Sequence, residues 1–409
     1  MNQGFTHQGV NNKQGFNSRQ GFHNRQGFHN RIEKALDARR SQSLTRSLLP
    51  TLNGNTVELT RNNQRLINFS SNDYLGLAND SELIQAWHKG LDIYGCGSGA
   101  SPLVTGFTPA HQNFERALCE WLGFDRAILF SSGFSANQAL LFTLLEKSDV
   151  VYQDKLNHAS LMEAGMLSPA SMRRFKHNDT NHLANLLDTS GIEVSDQLVV
   201  TEGVFSMDGD QAPLKSIADT IDQRAWLAVD DAHGIGVLGA GGQGSCDVHQ
   251  VKPNILIVTF GKAFGLSGAA ILCDQSTGDY LTQFARHHVY STAIPPAQAY
   301  ALSHALHMIQ TQHWRREKLF DLKSILNDQL SGFEQVVATQ TPINPIIIGD
   351  SDQTLSAAQN LEQFGLGVTA IRAPTVPANM SRLRITLTAS HSENQVKHLT
   401  TCLQKVLGE

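Results

Sequence analysis

The central part of the chain alternates short apolar runs with segments of helical period. Continuous apolar runs at Ala127–Phe130, Val150–Tyr152, Leu198–Val200, Trp226–Val229, Ile255–Val258 and Ala269–Leu272 read as buried strands. Between them, Ala136–Leu145, His182–Leu187 and Leu214–Ile221 read as helices. This alternation predicts an α/β fold in which helices cover both faces of a mostly parallel sheet. Upstream, Phe114, Leu118, Trp121 and Leu122 continue a helical pattern from His111, and Gly123 is placed to cap it. Ile32, Ala35, Leu36, Leu44 and Leu48 give Ile32–Leu49 the spacing of an amphipathic helix. A turn at Asn53-Gly54-Asn55 should lead into strands at Val57–Leu59 and Leu66–Phe69.

Beyond about residue 295 the pattern suggests a smaller α+β domain, with Pro295-Pro296 at the border. The division expected is a tail over residues 1–30, an N-terminal helix and strand segment over 31–64, a large α/β domain over 65–295 and a small domain over 296–409. The tail repeats Gln-Gly-Phe or Gln-Gly-Val every six residues from Gln8, Gln14, Gln20 and Gln26, with another copy at Gln3. It is rich in Asn, Gln, Gly, His and Arg, buries too little apolar surface to offset chain entropy, and reads as disordered.

Charge changes the picture little but excludes some functions. A formal net charge of -5 argues against a general nucleic-acid or anionic-membrane binder. No apolar run approaches the roughly 20 residues of a membrane-spanning helix. The N-terminus lacks the apolar core of a signal peptide, so a cytoplasmic protein is expected. Cys96, Cys119, Cys246, Cys273 and Cys402 are dispersed and read as free thiols in a reducing compartment. No metal site is expected, because His177, His182, His287 and His288 have no partners at ligand spacing.

In open α/β sheets, ligands bind beyond the carboxyl ends of the strands. Three runs here end in polar groups. Leu198–Val200 leads into Thr201, Glu202 and Ser206; Trp226–Val229 ends at Asp230, with Asp231 and His233 beyond; Ile255–Val258 ends at Thr259, with Lys262 three residues later. Singly, such an Asp is usually a turn former and such a Lys a solvated charge. If the strands are neighbours, however, Asp230, His233, Thr259 and Lys262 converge. That set suits pyridoxal phosphate. A carboxylate keeps the pyridine nitrogen protonated, a lysine supplies the Schiff base, and backbone N–H groups at a helix start hold the phosphate. Ser131-Ser132-Gly133-Phe134 has the composition of such a phosphate cradle.

The run Thr259-Phe260-Gly261-Lys262-Ala263-Phe264-Gly265 resembles the lysine motif of the α-oxoamine synthases, which are fold-type I pyridoxal-phosphate enzymes. Thr201–Gly209 and Ser71–Gly76 resemble the same family. Val229–Gly236 and Arg174–Asp179 are most similar to the branch that joins L-alanine to pimeloyl-CoA (6-carboxyhexanoyl-CoA), or its carrier-protein thioester, to give 8-amino-7-oxononanoate in biotin biosynthesis. Gly97–Gly106 and Thr369–Thr388 point the same way, and the resemblance covers roughly residues 32–405.

The resemblance implies roles for matching positions. Lys262 carries the cofactor and later acts as base, Asp230 pairs with the pyridine nitrogen, and His158 stacks on the ring. His233 and Ser206 contact the ring hydroxyl region. Gly133, Phe134 and Thr259 surround the phosphate, joined by Ser291 and Thr292 from the second subunit of a homodimer. Asn72 lies near cofactor and substrate, Arg384 binds the amino-acid carboxylate, and Arg46 and Thr375 contact the acyl substrate.

Three alternatives stand beside this reading. One is a sister enzyme using glycine or serine, of the 2-amino-3-ketobutyrate CoA ligase, 5-aminolevulinate synthase or serine palmitoyltransferase type. A second is a non-catalytic protein of the same fold. The third is an NAD oxidoreductase, prompted by two GxGxxG matches at Gly234–Gly239 and Gly239–Gly244; neither precedes a strong helical pattern.

Overall fold

The computed structural model describes residues 23–42, 44–189 and 195–408. It contains two compact units, Met1–Leu48 and Leu49–Glu409. In the first, a helix spans His23–Ser41. His23–Asn30, the last part of the tail expected over residues 1–30, is helical; the first 22 residues lie outside the described ones. The expected helix Ile32–Leu49 is corrected. The Leu44 N–H bonds back to the Arg39 carbonyl at 2.9 Å and turns the chain out of the helix, so Leu44 and Leu48 lie beyond it.

In the second unit a seven-stranded sheet runs in the order Arg126–Phe130, Ala269–Cys273, Ile255–Thr259, Trp226–Asp230, Gln197–Glu202, Val150–Asp154 and Ser171–Phe175. Only Ala269–Cys273 is antiparallel to its neighbours, so the other six strands end at one edge. Side chains alternate along each strand between two cores. Leu129, Tyr152, Val199, Val229 and Val258 pack on one face, and Ile128, Val151, Val200, Ala228 and Ile257 on the other. The apolar runs therefore read as strands because both of their faces are buried.

Two smaller sheets complete the unit. Thr51–Leu52, Glu58–Arg61 and Gln64–Asn68 form a meander whose last strand pairs in parallel with Leu366–Gly367. Ser381–Thr386 lies between Ile343–Gly349 and Thr369–Ile371. Pro296 opens the helix Pro296–Thr311, which packs on Ser81–Tyr94 and Pro109–Leu122. The contact is close because Gly90 has no side chain: a Cβ there would stand 2.7 Å from the Ala297 carbonyl oxygen.

Candidate active site

Strand register sets the geometry. Glu202 pairs with Asp230, and Asp230 with Ile257, so Glu202, Asp230 and Thr259 reach the same sheet edge. Ala269 pairs with both Phe130 and Thr259, which brings the turn after Phe130 alongside. There Ser132 caps the helix Gly133–Leu144, exchanging hydrogen bonds with Ser135. Lys262 sits in a tight turn closed by the Gly265 N–H on the Lys262 carbonyl at 2.9 Å. Gly133, His158, Glu202, Asp230, Thr259 and Lys262 line one cleft of about 260 Å³.

The buried Asp230 carboxylate accepts from Asn137 Nδ2 at 2.8 Å and from the Ala232 N–H at 3.1 Å. Asn137 Nδ2 also donates to Ser160 Oγ at 2.9 Å, and Ser160 Oγ meets His158 Nδ1 at 2.8 Å. One polar chain thus fixes both Asp230 and His158. The His158 backbone N–H donates to the buried Glu202 carboxyl. Burial lowers the pKa of His158, against the opposing pull of Asp230. Burial also lowers the Lys262 amine, opposed by Asp230 and Glu202, and Nζ donates to Thr259 Oγ1 at 3.3 Å. Burial and the neighbouring Asp230 push Glu202 well above the usual carboxylate range.

Asp231 faces elsewhere. Its carboxylate accepts from the Ser245 N–H at 2.7 Å and Ser245 Oγ at 2.6 Å, and burial pushes its pKa up to about 7. Gly203 and Gly234 pack on it so closely that a Cβ at either would stand 2.1 Å from Oδ1. The two GxGxxG matches lie in turns that wrap this carboxylate, and the helix that follows, Ser245–Val248, is a single turn.

A second network extends from His233. His233 Nδ1 and the Tyr74 hydroxyl are 2.7 Å apart, and the hydroxyl lies 3.3 Å from Asn72 Oδ1. Arg384 Nη1 donates to Asn72 Oδ1 at 3.1 Å, and its Nε donates to the Ser206 carbonyl at 2.6 Å. Burial, then the positive charges of Lys262 and Arg384, hold His233 well below the usual imidazole range.

The structure therefore brings together Asn72, Gly133, Phe134, His158, Ser206, Asp230, His233, Thr259, Lys262 and Arg384. Ser291 and Thr292 lie between the short helix Arg286–Val289 and Pro296–Thr311, outside the lining of this cleft. Thr375 sits exposed in the segment between Thr369–Ile371 and Ser381–Thr386, also outside it. Arg46 belongs to the N-terminal unit. Sequence reasoning missed Tyr74, Asn137 and Ser160 and assigned Glu202 no role. Tyr74 and Glu202 at least stand within runs already singled out, whereas no local signal marks Asn137. Among the described residues, no group of three or more His, Cys, Asp or Glu could hold a metal ion.

Residues 64–403 match the family described as aminotransferase class I and II. The chain is 65% identical over 379 residues to 8-amino-7-oxononanoate synthase of Vibrio parahaemolyticus, covering 92% of this chain and 98% of that protein. The chain belongs to the 8-amino-7-oxononanoate synthase family. Membership makes it a fold-type I, pyridoxal-phosphate-dependent acyltransferase with a role in biotin synthesis. Among solved structures, the 8-amino-7-oxononanoate synthase of Francisella tularensis is 30% identical with a TM-score of 0.72, over 84% of this chain and 97% of that one. A serine palmitoyltransferase of S. paucimobilis with bound PLP is 26% identical with a TM-score of 0.85, over 93% and 98%. The cofactor of the family is pyridoxal phosphate, as the lysine motif implied.

Proposed function

We propose that this enzyme condenses L-alanine with a 6-carboxyhexanoyl (pimeloyl) thioester, releasing the thiol and CO2 and giving 8-amino-7-oxononanoate. The observation that carries the reading is one cleft in which the buried Lys262 amine, Asp230 and His158 meet the start of the helix Gly133–Leu144.

The residues fit pyridoxal phosphate. The helix start at Gly133 and Phe134, with the Thr259 hydroxyl, suits a phosphate. A Cβ at Gly133 would stand 2.7 Å from Thr259 Cγ2, so the backbone is open there only because the residue is glycine. Asp230 would hold the pyridine nitrogen, His158 the ring face, and His233 and Ser206 the ring hydroxyl. Lys262 would hold the cofactor covalently. When bound, the cofactor supplies an electron sink for the negative charge that develops at the amino acid's Cα.

The chain's own residues do the rest. Burial lowers the proton affinity of the Lys262 amine, so it exists as a free base closer to neutral pH. It takes the Cα proton of alanine and returns one at the end. Arg384 holds the substrate carboxylate with N–H groups beyond those committed to Ser206 and Asn72. Thr375 contacts the acyl substrate. Across the reaction the Cα–H bond breaks, Cα bonds to the thioester carbonyl carbon, the thiol leaves, and the carboxylate departs as CO2.

Three further parts of the reading are proposals. The enzyme is a homodimer in which Ser291 and Thr292 reach the partner's phosphate site. The segment after Pro295 is a smaller module, supported by its own three-stranded sheet of Ile343–Gly349, Ser381–Thr386 and Thr369–Ile371. The enzyme is cytoplasmic, in keeping with five free cysteines.

The test is thiol release by the purified holoenzyme with alanine, glycine and serine, each against pimeloyl-CoA and a pimeloyl carrier-protein thioester. Alanine should exceed glycine in kcat/KM by at least ~10-fold, the scale set by one buried methyl group. Faster turnover with glycine or serine would replace this reading with a sister activity. No release with any pair would favour a non-catalytic protein.

A further inference from the structure

The run Arg174–Asp179 carries no role in the reading above, yet it places a histidine between two carboxylates. The strand Ser171–Phe175 pairs with Val150–Asp154 so that Phe175 stands beside Asp154, and His177 follows two residues on. His177 Nδ1 lies 2.9 Å from Asp154 Oδ1, and Nε2 lies 2.7 Å from Asp210 Oδ2. Both oxygens already accept from N–H groups. Asp154 Oδ1 accepts from the Leu156 N–H at 2.8 Å, and Asp210 Oδ2 from Asn178 Nδ2 at 3.0 Å. Each oxygen facing the ring is thus an acceptor, and both ring nitrogens must donate. A neutral imidazole has only one N–H; an imidazolium has two. The Phe205 ring meets the imidazole edge-on at 4.5 Å. Asn178 Nδ2 stands 3.3 Å from Nε2, but it donates to Asp210 Oδ2 at 3.0 Å and to the Gln211 carbonyl at 3.2 Å, which leaves Asp210, at 2.7 Å, as the partner of Nε2. Asp208 of the same hairpin pairs with Arg382 of the strand Ser381–Thr386.

Asp210 belongs to the loop Gly203–Ala212, which folds back on itself. The Phe205 N–H donates to the Asp210 carbonyl at 3.0 Å, the Gly209 N–H to the Phe205 carbonyl at 2.8 Å, and Val204 bridges to Gln211. The far side of this hairpin carries Ser206, whose carbonyl accepts from Arg384 Nε, while Arg382 pairs with Asp208. One side of the loop is therefore tied to the sheet edge through His177, and the other to the strand that bears Arg384.

We infer that His177, held as an imidazolium between Asp154 and Asp210, is a positioning residue that rivets this hairpin to the sheet edge and so sets Ser206 and Arg384 for the amino-acid substrate. The inference rests on the proposed roles of Ser206 and Arg384 for its consequence, but not for the charge of the ring. Charge-assisted bonds are the strong class, which suits a clamp that must hold a backbone carbonyl in register. In accord with the geometry, burial pulls His177 down, but the bonds to Asp154 and Asp210 outweigh it and raise its pKa to about 10.

Two measurements on the full-length holoenzyme test this. Histidine-selective ¹⁵N NMR, with His177 assigned by substitution, should show protons on both ring nitrogens at about pH 8.5, where an ordinary histidine is neutral. A single protonated nitrogen at that pH would overturn the inference. Second, His177→Gln can donate to only one of the two carboxylates. It should bind cofactor normally and raise KM for L-alanine ~10-fold while kcat changes less than ~3-fold, the split expected when ground-state binding geometry is lost. Arg384→Lys is the control. If it raises the alanine KM and His177→Gln leaves it within twofold, the positioning role is wrong while the reading of Arg384 stands. If Arg384→Lys leaves that KM unchanged, the carboxylate role of Arg384 fails, and the protonation of the ring alone confirms or overturns the clamp.

Discussion

Asp230 and Asp231 are adjacent, acidic and buried, yet their surroundings separate them. Asp230 accepts from Asn137 and lines the cleft, whereas Asp231 uses both oxygens on Ser245. Asp230→Asn should therefore keep the fold and lower kcat by at least ~100-fold, the scale of losing one preorganised electrostatic group. Asp231→Asn should instead destabilise the fold by about 2 kcal/mol, since the buried Ser245 N–H and hydroxyl lose a charged acceptor. Steady-state kinetics and thermal unfolding of both variants check this; the reverse pattern would mean that the roles are exchanged. In the sequence, its place at the end of a strand and the family resemblance both favoured Asp230 over the adjacent Asp231. Tyr74 was not legible as a neighbour of His233, because the two lie 159 positions apart and meet only in space.

At the scale of elements, the chain order was readable wherever burial was two-sided. At their carboxyl ends Leu198–Val200, Trp226–Val229 and Ile255–Val258 extend by one or two residues, in the strands Gln197–Glu202, Trp226–Asp230 and Ile255–Thr259, and it is the polar last residues that reach the cleft. The strand Ser171–Phe175 was missed because it is an edge strand with only Phe175 buried, so it has no apolar run. The helices Ser81–Tyr94 and Ala159–Leu167 were also not read. His158, which caps the second of them, entered only through the resemblance. The start of the helix Gly133–Leu144 gives a prediction of its own. Gly133→Ala would place Cβ against Thr259 Cγ2, at 2.7 Å, where the phosphate is proposed to sit. Affinity for pyridoxal phosphate should fall ~10-fold with little change in the melting temperature of the apoprotein, because the crowding lies at the mouth of a cleft. Unchanged cofactor affinity would move the phosphate away from this helix.

At the scale of the whole molecule, Ser291 and Thr292 were expected at the phosphate but lie outside the lining of this chain's cleft. Ser291 and Thr292 are proposed to act across a twofold dimer, which complementation can test. Inactive Lys262→Ala subunits mixed with inactive Ser291→Ala/Thr292→Ala subunits should regain part of the wild-type activity, because one of the two hybrid sites has every group intact. No recovery in mixed dimers, or a fully active monomer in sedimentation, would contradict the shared site. The central claim is that Lys262 carries the cofactor in the cleft it shares with Asp230 and His158. Borohydride reduction of the holoenzyme followed by peptide mass mapping tests it most directly. Pyridoxal phosphate should be fixed on the peptide containing Lys262 and on no other; a label on another lysine, or none at all, would contradict the account.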